Sequence, residues 1–571
     1  MQTERLKQNV KEKVKDIEDG GLRLLKKGQK GVVRAIFSRF GIVLLLLLLQ
    51  VGVLFGLFVK FEQLLPHYLG SAALFSAIMV IYLLNTRMDN SAKITWLIVI
   101  MLLPVLGGLL FLYTESDLGH RMLKRRLSDL SEKTRTELEQ DLQSAQRLTQ
   151  QDPGAGALAR YLRGTGGGFP LYENTEVTYF NGGEAKFAEL LRQLEQAKHY
   201  IFVEYFIIDE GLMWGKVLEL LARKAAEGVE VRVMYDGTCE FSTLPRDYPK
   251  RLEQLGIRCK VFAAMKPFVS THYNYRDHRK IFVIDGRVGF TGGINLADEY
   301  INVIEKHGRW KDAGVMLEGE GVRTLTALFL QLWNIMEQSP DDERFLPHLE
   351  APVQTDGFVV PYGDSPLDRE RVGEQVYIDL LNRAQRSVCI MTPYLILDGE
   401  LENALCFAAE RGVKVKMILP GVPDKSFAYA LAKTHYAGLL ASGVEIYEWT
   451  PGFVHAKVFV VDDREAVVGT INLDYRSLYH HFEDAVWMVG TRCIPRSKRI
   501  LTIPWRSAAR WNPPARASGR ASMCCTSPVC CSRPLRRCCD PAPEIRAKAP
   551  ARAKHRRGPF MFVVAVTDSL C

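Results

Sequence analysis

Cysteine is scarce through the first 490 residues of this 571-residue chain. Only Cys239, Cys259, Cys389 and Cys406 occur there, and no two form a C-x-x-C pair. That usage signals neither a disulfide framework nor a zinc site. No cluster of carboxylates offers itself as a magnesium site. Also lacking is a basic stripe with interleaved aromatics, so a nucleic-acid partner is not expected. The formal net charge of +9 is modest for the length. It suggests contact with anions without saying which. Apolar and charged content is that of a folded chain rather than a disordered one. A length of 571 residues exceeds one ordinary core and implies several domains.

Charge is missing from three early runs: Gly41–Val59, where Gln50 is the one strongly polar residue, then Leu69–Leu84, then Ile94–Thr114. The first has 19 residues and is long enough to span a bilayer core. A signal peptide fits poorly, because the first run starts late and two more follow. The first 40 residues hold 11 Lys or Arg, and HRMLKRR (His120–Arg126) follows the third run directly. Basic flanks on both sides predict a cytoplasmic segment over 1–40 and a cytoplasmic remainder. Between them, residues 41–115 read as a membrane anchor of two or three segments. The second run is short and the third contains Pro104, Gly107 and Gly108, so one is re-entrant or the two form one bent unit. Residues 116–175 read as a charged juxtamembrane helix with no strong apolar face, then a linker. Within it PGAGALARYLRGTGGGFP (Pro153–Pro170) is Gly-rich and marks a boundary.

Beyond that boundary the chain repeats itself. AKHYIFVEYFIID (Ala197–Asp209), a helical stretch and AAEGVEVRVMYDG (Ala225–Gly237) form the first copy. AQRSVCIMTPYLILD (Ala384–Asp398), a helical stretch and AAERGVKVKMILPG (Ala408–Gly421) form the second. Each reads as strand, helix and strand with a glycine at the helix end, a pattern that packs as parallel βαβ. The repeats are bounded at 176–350 and 351–490. From 491 to 571 the character changes. Eight of the twelve cysteines lie there, Arg, Pro, Ala and Ser dominate, and apolar periodicity stops. This ending is expected to be disordered, with the composition of an out-of-frame or otherwise non-native tail.

Each copy carries H-x-K-x4-D: HRKIFVID (His278–Asp285) and HAKVFVVD (His455–Asp462). In a strand, residues two apart share a face, so His278 lies with Lys280 and His455 with Lys457. Asp285 and Asp462 complete the motif and count as catalytic candidates. Turn-making is the other reading, since Asp285-Gly286 has the form of a tight hairpin. TGGIN and GTIN follow, ending at Asn295 and Asn472, whose amides can donate to an oxyanion beside small residues that permit close approach. An acid follows in each copy, Asp312 and Glu483. Two His, two Lys and two Asn suit a phosphodiester. One imidazole attacks phosphorus, the other protonates the leaving alcohol, and the cations neutralise charge in the transition state. Each acid would hold one imidazole's far N–H. Such a set needs no metal.

The duplicated motif is that of the phospholipase D superfamily. RDHRKIFVIDGRVGFTGGINLADEY (Arg276–Tyr300), INLDYRSLYHHFE (Ile471–Glu483) and KITWLIVIMLLPVLGGLLFLY (Lys93–Tyr113) resemble bacterial cardiolipin synthases in particular. The resemblance covers about residues 35 to 490. It implies a duplicated phospholipase D-type α/β domain with pseudo-twofold symmetry, preceded by an N-terminal transmembrane helical anchor. It further implies phosphatidyl transfer between two phosphatidylglycerol molecules, giving cardiolipin and glycerol, at the inner membrane of a bacterial cell, without a cofactor. The bilayer and phosphatidylglycerol are then the partners. The family's habit makes His278 the nucleophile and His455 the general acid and base. Two departures stand out: His481 replaces the family's usual Asn before Phe-Glu, and the ending from 491 does not resemble the family's closing helices. With water as acceptor the same site would be a phospholipase D. An incomplete second repeat would leave a membrane protein with intact motifs and no activity.

Overall fold

The computed structural model describes residues 61–86, 90–115, 121–138, 141–263, 275–337, 342–346, 355–368, 370–494 and 508–511, with positions 48, 52, 88 and 348 besides. The chain falls into two compact units, one built on residues up to Gly119 and the other from His120 onward.

The helices whose bounds are described in the first unit are α1 (Phe61–Asn85), α2 (Asn90–Leu102) and α3 (Pro104–Glu115). The third apolar run is therefore two helices. The break falls at Leu103 because Pro104 has no N–H to donate and is suited to a first helical position. Gly107 permits a close return of α3 on α2: a Cβ there would stand 2.6 Å from the Val99 carbonyl oxygen. Met79, Leu83, Trp96, Ile100 and Phe111 form the small core, while Leu74, Ile78, Ile81, Ile98, Met101 and Leu102 face outward. Among the described residues no helix is long and apolar enough to cross a membrane. The basic segment 1–40 and nearly all of the 41–59 run lie outside the described residues.

The second unit opens with α4 (Arg121–Glu137), α5 (Leu142–Gln151) and α6 (Pro153–Arg163). Two expectations fail here. The charged stretch does have an apolar face, since Leu127, Leu130, Leu138 and Leu148 are buried. The supposed linker begins as a helix: the Asp152 carboxylate accepts from Ala155 N–H as N-cap and Pro153 takes the first position. Three of its small residues, Ala155, Gly156 and Ala159, are buried against the core.

Two sheets follow. The first uses β1 (Thr175–Phe180), β2 (Tyr200–Tyr205), β3 (Glu230–Asp236) and β4 (Arg258–Phe262). After the two-residue β5 (Arg276–Asp277) come β6 (Lys280–Ile284), β7 (Val288–Gly292), a short β8 (Arg309–Lys311) and β9 (Gly314–Gly319). Its order is β1-β9-β7-β6-β2-β3-β4. The second uses β10 (Phe358–Asp364), β11 (Ser387–Met391), β12 (Leu395–Ile396), β13 (Lys414–Pro420), β14 (Glu445–Trp449) and β15 (Gly452–Val454). It continues with β16 (Val458–Val461), β17 (Glu465–Gly469), β18 (Leu473–Asp474), β19 (His481–Val489) and β20 (Ala508–Arg510). Its main order is β10-β19-β17-β16-β11-β13-β14-β20, with β5 joined to β19, while β12–β18 and β15–β8 are separate two-stranded sheets. Position for position the first seven strands repeat the first sheet. The β2–β3 and β11–β13 pairs are parallel, as the βαβ reading requires. Gly228 and Gly412, just past the connecting helices, both take φ of 93°. A helix at Val322–Trp333 is buried along its whole length and contacts β2, β6 and β7 on one side and β10 on the other.

The ending beyond Gly490 is described in two pieces, and the expectation that none of it joins the domain fails for both. Cys493 and Ile494 are buried. Strand β20 adds to the edge of β14, and Trp511 sets its ring 5.3 Å from Tyr436. The composition shift marked the wrong point, because short apolar pieces within it still find the sheet edge. The remainder lies outside the described residues.

Candidate active site

The H-x-K strands are near-continuous apolar runs, KIFVI and VFVV, and every residue of both is buried, as strands covered on two faces must be. They deliver His278, Lys280, His455 and Lys457 to the interior, where the two histidines keep 5% and 8% exposure.

What orients the histidines is an exchange between the repeats. β5, just before His278, pairs in parallel with His481–Phe482 of β19. β15, just before His455, pairs in parallel with β8. The His278 N–H donates to the Phe482 carbonyl at 2.9 Å, and the His455 N–H to the Lys311 carbonyl at 2.7 Å. Each histidine thereby meets the acid of the other repeat. His278 Nδ1 lies 2.8 Å from Glu483 Oε2 and 2.9 Å from Oε1. His455 Nδ1 lies 2.7 Å from Asp312 Oδ2. A proton on Nδ1 shared with a carboxylate leaves Nε2 with its lone pair. Both acids were legible in sequence, but which one serves which histidine was not.

Burial pulls the His278 imidazole well below its ordinary value, further than Glu483 lifts it. His455 is pushed down to about 4 by burial and by the charge of Lys457. Burial works against the charge of Asp312 and Glu483, yet the imidazole facing each holds it below the usual carboxylate range. The two lysines are also strained by burial, Lys280 down to about 8 and Lys457 to about 7. Their placement differs. Lys280 Nζ donates to the His278 carbonyl at 2.5 Å; Lys457 Nζ donates to the His455 carbonyl in the same way and in addition sits 3.0 Å from His455 Nδ1 and 3.1 Å from Nε2. Two buried cations between neutral imidazoles form a receptacle for an anion.

Asn295 and Asn472 are both buried. Asn295 is tied at each end: Oδ1 accepts from Ile207 N–H at 3.1 Å and Nδ2 donates to Tyr300 Oη at 2.7 Å. Asn472 Oδ1 has no hydrogen-bond partner among the described residues. Sequence reasoning missed Lys186, whose buried ammonium lies over the Tyr205 ring at 5.8 Å and interacts with Asp312 and Lys280. It missed Thr470 as well, which donates to Glu483 Oε2. No motif singles out a lysine on a helix or a threonine before the Asn.

Asp285 and Asp462 do not join this constellation, a correction to their place among the catalytic candidates. They stand at the far ends of β6 and β16 with φ of 53° and 51°. Asp285 accepts from the N–H groups of Lys198, His199 and Tyr200 at 2.8, 2.7 and 2.9 Å. Asp462 does the same for Gln385, Arg386 and Ser387 at 2.8, 2.7 and 2.8 Å. Three donors that the neighbouring strand's first residues cannot satisfy within the ladder explain the requirement for Asp.

Residues 190–333 and 377–500 match the family model described as cardiolipin synthase, PLD-like domain, and residues 72–113 match one described as phospholipase D-nuclease N-terminal. An uncharacterized protein of Streptococcus mutans serotype c is 56% identical over 418 residues, 73% of this chain and 90% of that one. The cardiolipin synthase of Halalkalibacterium halodurans is 32% identical over 425 residues, 73% of this chain and 82% of that one. Among solved structures, the phosphatidylserine synthase of Haemophilus influenzae Rd KW20 shares the fold with a TM-score of 0.50 at 14% identity, over 63% of this chain and 92% of that one.

Proposed function

The chain belongs to the cardiolipin synthase family of the phospholipase D superfamily, and from that premise we propose that it converts two phosphatidylglycerol molecules into cardiolipin and glycerol through a phosphohistidine. It is an enzyme of the family's type, acting on phospholipids. The observation that carries the finer reading is the reciprocal pairing of Glu483 with His278 and Asp312 with His455 in one buried site.

In this reading His278 Nε2 attacks phosphorus of the first phosphatidylglycerol, and the P–O bond to its terminal glycerol breaks. His455 gives its proton to that oxygen, so glycerol leaves. The hydroxyl of a second phosphatidylglycerol then loses its proton to His455, attacks phosphorus and displaces His278. Lys280, Lys457 and the two Asn amides answer the charge on the phosphoryl oxygens. The low value of His455 belongs to the free protein. An anionic phosphate between the lysines offsets the Lys457 charge and lifts the imidazole toward its ordinary range, so the proton-carrying form arises in the substrate complex. Outward apolar side chains such as Leu74, Ile78 and Met101 support a membrane-seated first unit, which brings the site to its lipid. Together with the basic N-terminal segment they support a multi-pass seat in a bacterial inner membrane, the catalytic part on the cytoplasmic side.

Purified full-length chain in detergent with phosphatidylglycerol and EDTA tests this. Cardiolipin and glycerol should appear in equal amounts. Phosphatidic acid as the main product would replace the transferase by a hydrolase, and turnover that returns only with an added divalent ion would sink the metal-free mechanism.

A further inference from the structure

His481 is 7% exposed and belongs to neither motif. Its Nδ1 lies 3.3 Å from Glu483 Oε1 and makes no hydrogen bond among the described residues. Its ring centre is 5.1 Å from that of His278, tilted by 39°. A buried imidazole nitrogen left unsatisfied is costly and points to a ligand. Beside it, one donor atom each from His278, His481 and Glu483 lie within 4.8 Å of one another.

We propose that His278, His481 and Glu483 form a binding site for a first-row transition cation, represented by zinc, and that its occupancy stops the reaction. Two imidazoles and one carboxylate suit zinc, nickel or copper rather than magnesium or calcium. With metal–ligand bonds of about 2.0–2.1 Å, neighbouring atoms of a tetrahedral shell stand roughly 3.3 Å apart. The His481–Glu483 separation of 3.3 Å already has that length, and the His278–Glu483 pair at 2.8 to 2.9 Å has to open by only a few tenths of an ångström. Thr470 donates to Oε2, which leaves Oε1 toward the metal and fixes the carboxylate as an outer partner does. A metal on His278 Nδ1 moves that proton to Nε2. The lone pair that would attack phosphorus is then gone, with no net gain or loss of protons. Among the described residues the other half of the site has no counterpart, because the rings around His455 are Tyr300, Trp310 and Phe453.

The inhibitory part rests on the reading of His278 as the reacting group, while the binding part does not. The test therefore has two arms on the full chain in detergent, after chelation and removal of the chelator. Zinc is titrated into the activity assay, and cobalt(II) is titrated while the visible bands of tetrahedral cobalt are recorded. We expect one cobalt per chain with intense bands, and zinc inhibition in wild type. In H481N, each protein being compared with its own metal-free rate, the half-inhibiting zinc concentration rises about tenfold or more and the cobalt bands collapse. H481Q repeats the test with a longer amide. Equal zinc curves and equal cobalt spectra in wild type and both variants would overturn the site. Cobalt bound through His481 with undiminished turnover would overturn the inhibition. Should the chain make no cardiolipin at all, the function proposed above fails, and the cobalt bands alone still decide the metal site.

Discussion

Around His455 the walls are aromatic, with Tyr300, Trp310 and Phe453 at 5.3, 5.4 and 6.0 Å, and Asp312 has one imidazole to hold. Around His278 stand Phe206 at 4.9 Å and His481 at 5.1 Å, and Glu483 is shared among His278, His481 and Thr470. The lysines part company too. Both turn their ammonium to their own histidine's carbonyl, but Lys457 also comes within 3.1 Å of its histidine's ring nitrogens, while Lys280 acts on the His278 ring through its charge alone. One motif, used twice, thus yields two imidazoles of different character. In the proposed reaction the ring with no ammonium against its nitrogens serves as the nucleophile. The ring whose proton affinity depends on a neighbouring cation is the one a bound anion can switch, as an acid and base requires.

Replacing the histidines strains this comparison most. His278→Ala should lower turnover by about 10⁴-fold or more and abolish any acid-labile phosphoenzyme. His455→Ala should lose about 10²–10⁴-fold yet still accumulate traces of phosphoenzyme from a lipid with an activated leaving group. A phosphoenzyme found on His455 would reverse the two roles. Next come the acids. Glu483→Gln and Asp312→Asn should each cost about 10²–10⁴-fold. In double-mutant cycles Glu483→Gln should be non-additive with His278→Ala and close to additive with His455→Ala. The opposite pattern would place each acid with the histidine of its own repeat.

The alkaline limb is a smaller effect. Lys457 and Lys280, held by burial to about 7 and about 8, lose their charge as pH rises, so kcat/KM should fall by up to about tenfold per pH unit per lysine. Stability runs the other way. Both are bases whose folded value lies below the ordinary 10.5, so between about 7 and about 10.5 the unfolded chain binds more protons. The folded state therefore gains stability with pH across that window. Denaturant midpoints and rates measured on the same samples should diverge, and parallel decline would count against buried cationic lysines. The smallest effect on activity belongs to the turn residues. Asp285→Asn and Asp462→Asn should each cost about 1–3 kcal/mol in unfolding free energy and leave the rate per folded molecule unchanged.

Much of the site was open to reading from sequence because its chemistry repeats. His278, Lys280 and Asn295 recur as His455, Lys457 and Asn472, and the βαβ pattern around them is local. Proximity misled at Asp285 and Asp462, which belong to the motif as text but to the start of β2 and β11 as structure. The crossing of the acids was hidden because it depends on two short parallel pairings between distant segments. Glycine counted as a breaker hid the helix at Pro153–Arg163, although Asp-Pro marks its start and its small residues are what packing there demands. His481 showed itself in sequence only as a departure from the resembling family, and its neighbours appear only in three dimensions.

Those two crossing pairs have a consequence for how the chain comes into being. They join residues 205 and 143 positions apart in sequence, so they count among contacts that form late, after local strands and helices have paired. During synthesis His278 emerges long before Glu483. Until β19 is in place the first imidazole has no carboxylate to fix its tautomer and lacks His481 beside its ring. On the proposed mechanism, an unfinished or half-folded chain carries the residues for attacking phosphorus but not the arrangement. Fragments cut between the repeats, each with its own His and Lys, would regain the chemistry only by docking with one another.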